Sequence, residues 1–138
     1  MFKVLAPLAM TVLLGACSAP SNTVPAPPPD MHTSRTSVDW AGSYAGTLPC
    51  ADCPGIRIKL TLNSNETYEQ STLYEDRQAK PEVTRGNFRW LPDNGTIFLE
   101  GEETRWRVGE NQLMMLDQEG QVITGALADF YVLKRVAP

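Results

Sequence analysis

Ile56, Ile58, Leu60 and Leu62 alternate with Arg57, Lys59, Thr61 and Asn63. A period of two sends successive side chains to opposite faces of a strand, here one dry and one wet. The same texture runs from residue 39 to 136. Asn63-Ser64-Asn65-Glu66 is a turn, and Thr67 to Tyr74 is the return strand carrying Tyr68 and Tyr74. Phe88 and Trp90 alternate with Asn87 and Arg89. Pro92-Asp93-Asn94-Gly95 then closes a hairpin, because Asn-Gly accepts the positive φ that such turns demand. Trp106 and Val108 alternate with Arg105 and Arg107, and Gly109-Glu110-Asn111 turns into Gln112 to Leu116. Asp117 to Gly120 turns again into Val122-Ile123-Thr124, and Phe130 to Val136 makes the last strand. No 3.6-residue pattern competes. Eight or nine short strands joined by tight turns predict an all-β, antiparallel meander closed as a small barrel or packed as a sandwich. Closure would hide the strand edges that invite aggregation. A barrel of about eight strands lies at the border between filled and hollow.

The N-terminal third has a different character. Lys3 precedes an apolar run from Val4 to Leu14, broken by Pro7 and Thr11. At about 11 residues it is too short to span a bilayer and suits the apolar region of a signal peptide. Leu14-Gly15-Ala16-Cys17 follows and resembles the bacterial lipobox, in which small residues precede a cysteine that is acylated and becomes the first residue. Residues 1–16 are therefore read as a lipoprotein signal peptide and Cys17 as the lipidation site. Several acyl chains on one cysteine give stable anchoring where a single chain is marginal. An Asp after the cysteine favours inner-membrane retention, so Ser18 points to the outer membrane. Pro20, Pro25, Pro27, Pro28 and Pro29 then sit among Ser, Thr and Ala. Such a segment cannot bury enough surface to offset its ordering entropy. Residues 17–38 are read as a lipidated, Pro-rich tether, extended at about 3 Å per residue. Residues 39–138 form the barrel domain. Met31 and His32 fall in the tether, where a lone His beside a Met is read as solvated, since a metal site needs more converging ligands.

Composition removes several function classes. The chain has 138 residues, enough for one ordinary domain. Lys and Arg number 12 against 16 Asp and Glu; without the signal peptide the balance is 11 to 16, a net charge of −5. No basic stripe points to nucleic acid. The single histidine lies in the tether, so a Ser-His-acid triad is excluded as a reading. No phosphate-binding or dinucleotide glycine pattern is present. Glu100, Glu102 and Glu103 cluster at a tight turn and are read as solvated turn charges. Asn65-Glu66-Thr67 and Asn94-Gly95-Thr96 match glycosylation sequons and are read as turns.

The distinctive chemistry is Cys50-Ala51-Asp52-Cys53, a C-x-x-C on the loop between the first two strands. Beyond the inner membrane the surroundings are oxidising, which favours a small structural disulfide. Two thiolates would also suit copper(I), if the cysteines are reduced. A thiol oxidoreductase would place the motif at a helix N-terminus, and Pro54-Gly55 blocks a helix there. One C-x-x-C also lacks the second pair that a zinc site usually needs.

Tyr44-x-Gly46-Thr47-Leu48-Pro49-Cys50-Ala51-Asp52-Cys53-Pro54-Gly55-Ile56, followed by Leu60-Thr61-Leu62, resembles the N-terminal domain of the copper-resistance NlpE lipoproteins. Leu116-Asp117-x-x-Gly120-x-x-Ile123-x-Gly125, with Tyr131-x-Leu133, is similar to that family's closing strands. The likeness spans residues 40–135 or so and is most specific in the P-C-A-D-C-P-G run. It implies a lipocalin-like β-barrel at the outer membrane, facing the periplasm. It further implies a non-catalytic role in copper tolerance and in signalling envelope stress to a sensor kinase. The family's C-x-x-C falls on Cys50 and Cys53, and its lipid anchor on Cys17. The best-known member carries a second domain with its own cysteines; this sequence ends at Pro138 with three, so redox sensing placed there does not transfer. Two other classes stay open: a carrier of an apolar ligand in a barrel hollow, and a periplasmic enzyme inhibitor built on a barrel.

Overall fold

The computed structural model describes Gly15 and residues 33–137. The signal peptide apart from Gly15 lies outside the described residues, as do Cys17, Met31, His32 and most of the tether.

Eight antiparallel strands close into a barrel in chain order. They are β1 (Gly42–Leu48), β2 (Ile56–Leu62), β3 (Thr67–Tyr74), β4 (Glu82–Trp90), β5 (Thr96–Leu99), β6 (Thr104–Gly109), β7 (Gln112–Met115) and β8 (Val132–Val136). The barrel shuts where Ser43, Tyr44 and Ala45 pair with Val136, Arg135 and Lys134. The period-two reading of β2 sets its orientation. Ile58, Leu60 and Leu62 are buried while Arg57 and Lys59 face solvent. Ile56 points the same way but is half-buried, because it stands at the rim.

The middle of the barrel is filled. Tyr44, Leu60, Leu62, Ile97, Leu99, Trp106, Val108, Leu113 and Leu133 are essentially inaccessible to solvent. Each such side chain contributes about 1.5–3 kcal/mol by leaving water. A barrel of this strand number leaves little room once those positions are large.

Two loops of the meander behave differently from the sequence reading. Val122-Ile123-Thr124 is not a strand; only Leu116 and Val122 form an isolated bridge. β7 is already paired with β6 on one side and β8 on the other, so the closed barrel offers a further strand no edge. Asp117 instead folds the chain back, its Oδ1 accepting the N–H groups of Glu119 at 3.0 Å and Gln121 at 2.8 Å. The last strand starts at Val132, not Phe130, after a 3₁₀ turn at Ala128–Tyr131. In the β4–β5 hairpin, Asn94 takes the positive φ (50°) and Gly95 does not. Asp93 shapes that turn by accepting the Gly95 and Thr96 N–H groups, both at 2.9 Å, and the Thr96 hydroxyl at 2.7 Å.

The boundary of the tether also moves. Ser34–Ser37, assigned to it by composition, form a helical turn, α1, lying against the barrel. The Arg35 N–H donates to the Asn94 carbonyl at 3.0 Å, and the Arg35 guanidinium pairs with Glu66 at 3.2 Å. Trp40 packs edge-on against Phe88 and Trp90, with centroids 5.7 and 5.5 Å apart, and its indole donates to the Arg35 carbonyl. Val38 and Trp40 rest on the core and cover this end of the barrel.

Candidate functional site

The other end of the barrel is open. Leu48, Ile56 and Tyr74 are register partners at the adjoining ends of β1, β2 and β3, so the loop 49–55 and the turn 75–81 share one rim. The turn between β5 and β6 and the long connection from β7 to β8 complete it.

A disulfide joins Cys50 and Cys53, whose Cα atoms are 5.3 Å apart. The loop is held at two further places, Asp52 and Gly55. Arg77 of the neighbouring turn forms an ion pair with Asp52 and also donates to its carbonyl. The Glu75 N–H donates to the Gly55 carbonyl at 3.0 Å, and Arg57 pairs with Glu75 at 3.0 Å. A Cβ on Gly55 would stand 2.4 Å from Thr47 Cγ2, so a larger residue there would have to push the Thr47 side chain aside. Cys50 and Cys53 are each partly accessible, and Ala51 and Asp52 are exposed.

A groove of about 350 Å³ runs beside the disulfide, lined by Thr47, Leu48, Pro49, Cys50, Pro54, Leu127 and Phe130. Leu127 and Phe130 are 52% and 55% exposed, the most of any large apolar side chain among the described residues. They reach the loop only because the β7–β8 connection folds over the rim, which no local sequence signal announces. Among the described residues no three His, Cys, Asp or Glu side chains converge as a metal-binding set. A soft metal here would rest on the two thiolates, and the disulfide must first be reduced to supply them.

Inside the rim lies a second feature, a hollow of about 190 Å³. Leu48, Ile56, Ile58, Trp106 and Met115 form its apolar walls; Gln70, Thr72, Glu102 and Thr104 make a polar layer. Glu102 corrects the reading of the acidic turn. It is half-buried and turned inward, accepting from Thr84 Oγ1 at 2.8 Å and from Gln70 Nε2 at 3.3 Å. Glu100 and Glu103 are exposed as expected. Below this layer the Tyr68 hydroxyl donates to the Glu100 carbonyl at 2.6 Å. Burial, and then the nearby Glu102, push the Tyr68 phenol above its ordinary pKa. The inward Gln70 and Thr72 were missed because the strand was read by its tyrosines. The alternation Tyr68-x-Gln70-x-Thr72-x-Tyr74 would have put them on the same face.

The family model described as the NlpE N-terminal domain matches residues 44–126, more than half of the chain. The chain belongs to the NlpE N-terminal domain family. Lipoprotein NlpE of Escherichia coli (strain K12) is 32% identical over 84 residues, covering 59% of this chain and 36% of that protein. The 17 kDa lipoprotein of Treponema pallidum (strain Nichols) is 27% identical over 107 residues, covering 68% of this chain and 69% of that one. The chain therefore spans about a third of the length of the E. coli relative. Among solved structures, a putative lipoprotein from Shewanella oneidensis superposes with a TM-score of 0.71 at 42% identity, covering 75% of this chain and 94% of that one. The E. coli NlpE structure, described as the Cpx pathway activator, gives a TM-score of 0.51 at 29% identity, covering 61% and 46%. The lipocalin-like barrel implied by the sequence resemblance is the fold found, and the motif from Tyr44 to Ile56 builds its seam and rim.

Proposed function

We propose that this protein is a non-catalytic NlpE-type lipoprotein of the outer membrane, anchored through Cys17 and facing the periplasm. Its role is in copper tolerance and in reporting envelope stress to a sensor kinase. The observation that carries this reading is the C-x-x-C loop. Its disulfide stands on the rim, partly accessible, in a loop braced by Arg77 and by the Glu75 N–H, and beside an apolar groove. The Arg77–Asp52 pair and the Glu75 N–H bond to the Gly55 carbonyl hold the loop without passing through the sulfurs. That leaves the two sulfurs free to serve chemistry: oxidised they form a closed surface, reduced they offer two thiolates suited to copper(I). The E. coli relative is described as a Cpx pathway activator, which supports the stress-signalling part. The relatives' names support the lipid anchor.

The filled barrel weighs against the apolar-carrier reading, since the middle is occupied by Tyr44, Leu60, Trp106 and their neighbours. The decisive experiment is copper(I) titration of the reduced mature protein, with and without Cys50→Ser and Cys53→Ser. Stoichiometric binding by the parent alone is expected; equal binding by both refutes the copper role. Anchoring is tested by fractionation. Cys17→Ala leaves the membrane fraction, because the tether has no apolar stretch to insert. A variant that still sediments with outer membranes refutes lipidation at Cys17.

A further inference from the structure

Negative charge and exposed apolar surface are gathered at the same end of the barrel. The four connections at the open rim, residues 49–55, 75–81, 100–103 and 116–131, hold nine Asp and Glu against Arg77 and Lys80. Their net charge is −7, so the rest of the mature chain is net positive although the whole is −5. Six large apolar side chains are exposed among the described residues. Tyr74, Val83, Val122, Leu127 and Phe130 stand at the open end, and Val136 at the other. Carboxylates on a rim favour solubility, but Leu127 and Phe130 gain nothing from water. Exposed apolar side chains gathered in one place mark a contact surface.

The groove beside the disulfide brings two of these segments together. The β7–β8 connection contributes Leu127 and Phe130, and the C-x-x-C loop contributes Pro49, Cys50 and Pro54. Asp129 is exposed on the same 3₁₀ turn as Phe130, so one short segment carries both apolar surface and a carboxylate. Asp52 and Glu75 are already matched by Arg77 and Arg57. Asp76, Glu103, Glu119 and Asp129 are exposed and enter none of the ion pairs on the described surface. An anionic membrane surface would be repelled by such a rim. The tether also joins the barrel at the opposite end, which α1 and Trp40 cover. The closed barrel offers no free edge for strand addition, so side chains must hold whatever docks here.

We propose that the open rim docks a basic, extended segment of a partner protein, with an apolar side chain in the groove and flanking Lys or Arg against Asp129 and the other unpaired acids of the rim. This rests on the reading of the protein as one that reports to a partner in the envelope, and it names the chemistry of that contact. The apolar anchor supplies affinity, while the rim charge steers the approach and rejects acidic partners. At about 350 Å³ the groove lies at the small end of the roughly 300–1,000 Å³ range of binding pockets, room for an anchoring side chain.

The test uses the full mature lipoprotein in a neutral maltoside detergent, followed by the side-chain signals of Leu127 and Phe130. The probe is a short capped peptide in which lysine alternates with leucine and phenylalanine. Two controls keep its length: one has glutamate for every lysine, the other serine for leucine and phenylalanine. The probe shifts both signals saturably, and each control binds at least about tenfold more weakly. Raising the salt from about 0.01 to about 1 M, which cuts the screening length from about 30 to about 3 Å, weakens the probe. Leu127→Ser with Phe130→Ser, both exposed positions, leaves the far-ultraviolet spectrum unchanged and weakens the probe by about tenfold or more, read at the Asp129 amide. Asp129→Asn with Glu119→Gln weakens it too and flattens the salt dependence. Equal binding of probe and glutamate control overturns the proposal, as does undiminished binding by the Leu127 and Phe130 double variant. A rim that answers no peptide at millimolar concentration overturns it as well. Copper(I) titration and fractionation of the same variants are read alongside; if they are unchanged, the failure belongs to the rim and not to the copper or anchoring reading.

Discussion

The Arg135 guanidinium lies over the Tyr44 ring, 5.2 Å from its centroid, and donates to the Tyr44 hydroxyl at 3.0 Å. The two residues face each other across the seam where β8 meets β1. The Tyr44 hydroxyl in turn donates to the Trp40 carbonyl at 2.8 Å. The same guanidinium donates to the carbonyls of Asp39 and Ala41. One cation thus ties the last strand to the first, and to the segment that covers the closed end. Arg135→Met keeps an apolar stem and removes the donors. The expected cost is about 2–3 kcal/mol, as for hydrogen bonds to a charged group, read as a lower urea midpoint at unchanged slope. Tyr44→Phe costs about 1 kcal/mol. The double variant costs less than the two together, because they share one network; strict additivity would show that the network is not coupled.

The buried tyrosines should limit stability at alkaline pH. Burial pushes the Tyr44 phenol above its ordinary 10.0, with Arg135 pulling it part of the way back. Tyr68 is raised too, first by burial and then by Glu102. A phenol whose pKa is raised by folding holds its proton more tightly in the native state. Its contribution is whole below about pH 10 and is lost as pH rises through the raised native value. The urea midpoint should therefore begin to fall near pH 10 and continue downward above it. Tyr44→Phe flattens that fall. An alkaline limb of the same steepness in this variant would mean that Tyr44 is not its source.

Gly46 decides how closely the seam can shut. A Cβ there would stand 2.8 Å from the Val132 carbonyl oxygen and 2.9 Å from Leu133 Cδ2. The first of these is backbone and cannot swing aside. Gly46→Ala should cost about 1–3 kcal/mol, the usual range for overpacking, and expose the cross-seam amides of Ala45 and Lys134 to hydrogen exchange, since the Arg135 N–H points away to the Asn111 carbonyl. Unchanged protection at the seam would show that β1 and β8 can separate without penalty.

How much of this was legible in sequence follows from what each signal encodes. The strand from Ile56 to Leu62 was readable in full, orientation included, since a strict alternation allows one register against a dry core. The Cys50–Cys53 bridge followed from spacing and compartment together. The polar layer was not readable from hydrophobicity, because Gln70, Thr72 and Glu102 carry the same polarity whether they face water or a hollow. Val122 to Thr124 looks like a strand by composition, and only closure of the barrel denies it a partner. The docking of Ser34–Ser37 depends on the Asn94 carbonyl and on Glu66, both distant in the chain. Leu127 and Phe130 join the disulfide loop only through the course of a long connection.

That connection and the bracing of the loop bear on what the disulfide is for. The bridge spans two intervening residues, so the loop entropy it removes from the unfolded chain is small, about 2 kcal/mol at most. The Arg77–Asp52 ion pair and the Glu75 N–H bond to the Gly55 carbonyl do not involve the sulfurs. Cys50→Ser with Cys53→Ser should therefore leave the barrel folded, with an unchanged far-ultraviolet spectrum and a loss of no more than about 2 kcal/mol. Protein extracted from the envelope under a thiol quench should show no reactive thiol at Cys50 or Cys53 until reductant is added. Reduction then exposes both, and copper(I) binding appears with them. Global unfolding of the serine variant would make the bridge a structural clamp and remove the reason to assign it a function. Two freely reactive thiols in the freshly extracted protein would refute the disulfide as the resting state, and would place the metal-binding form first.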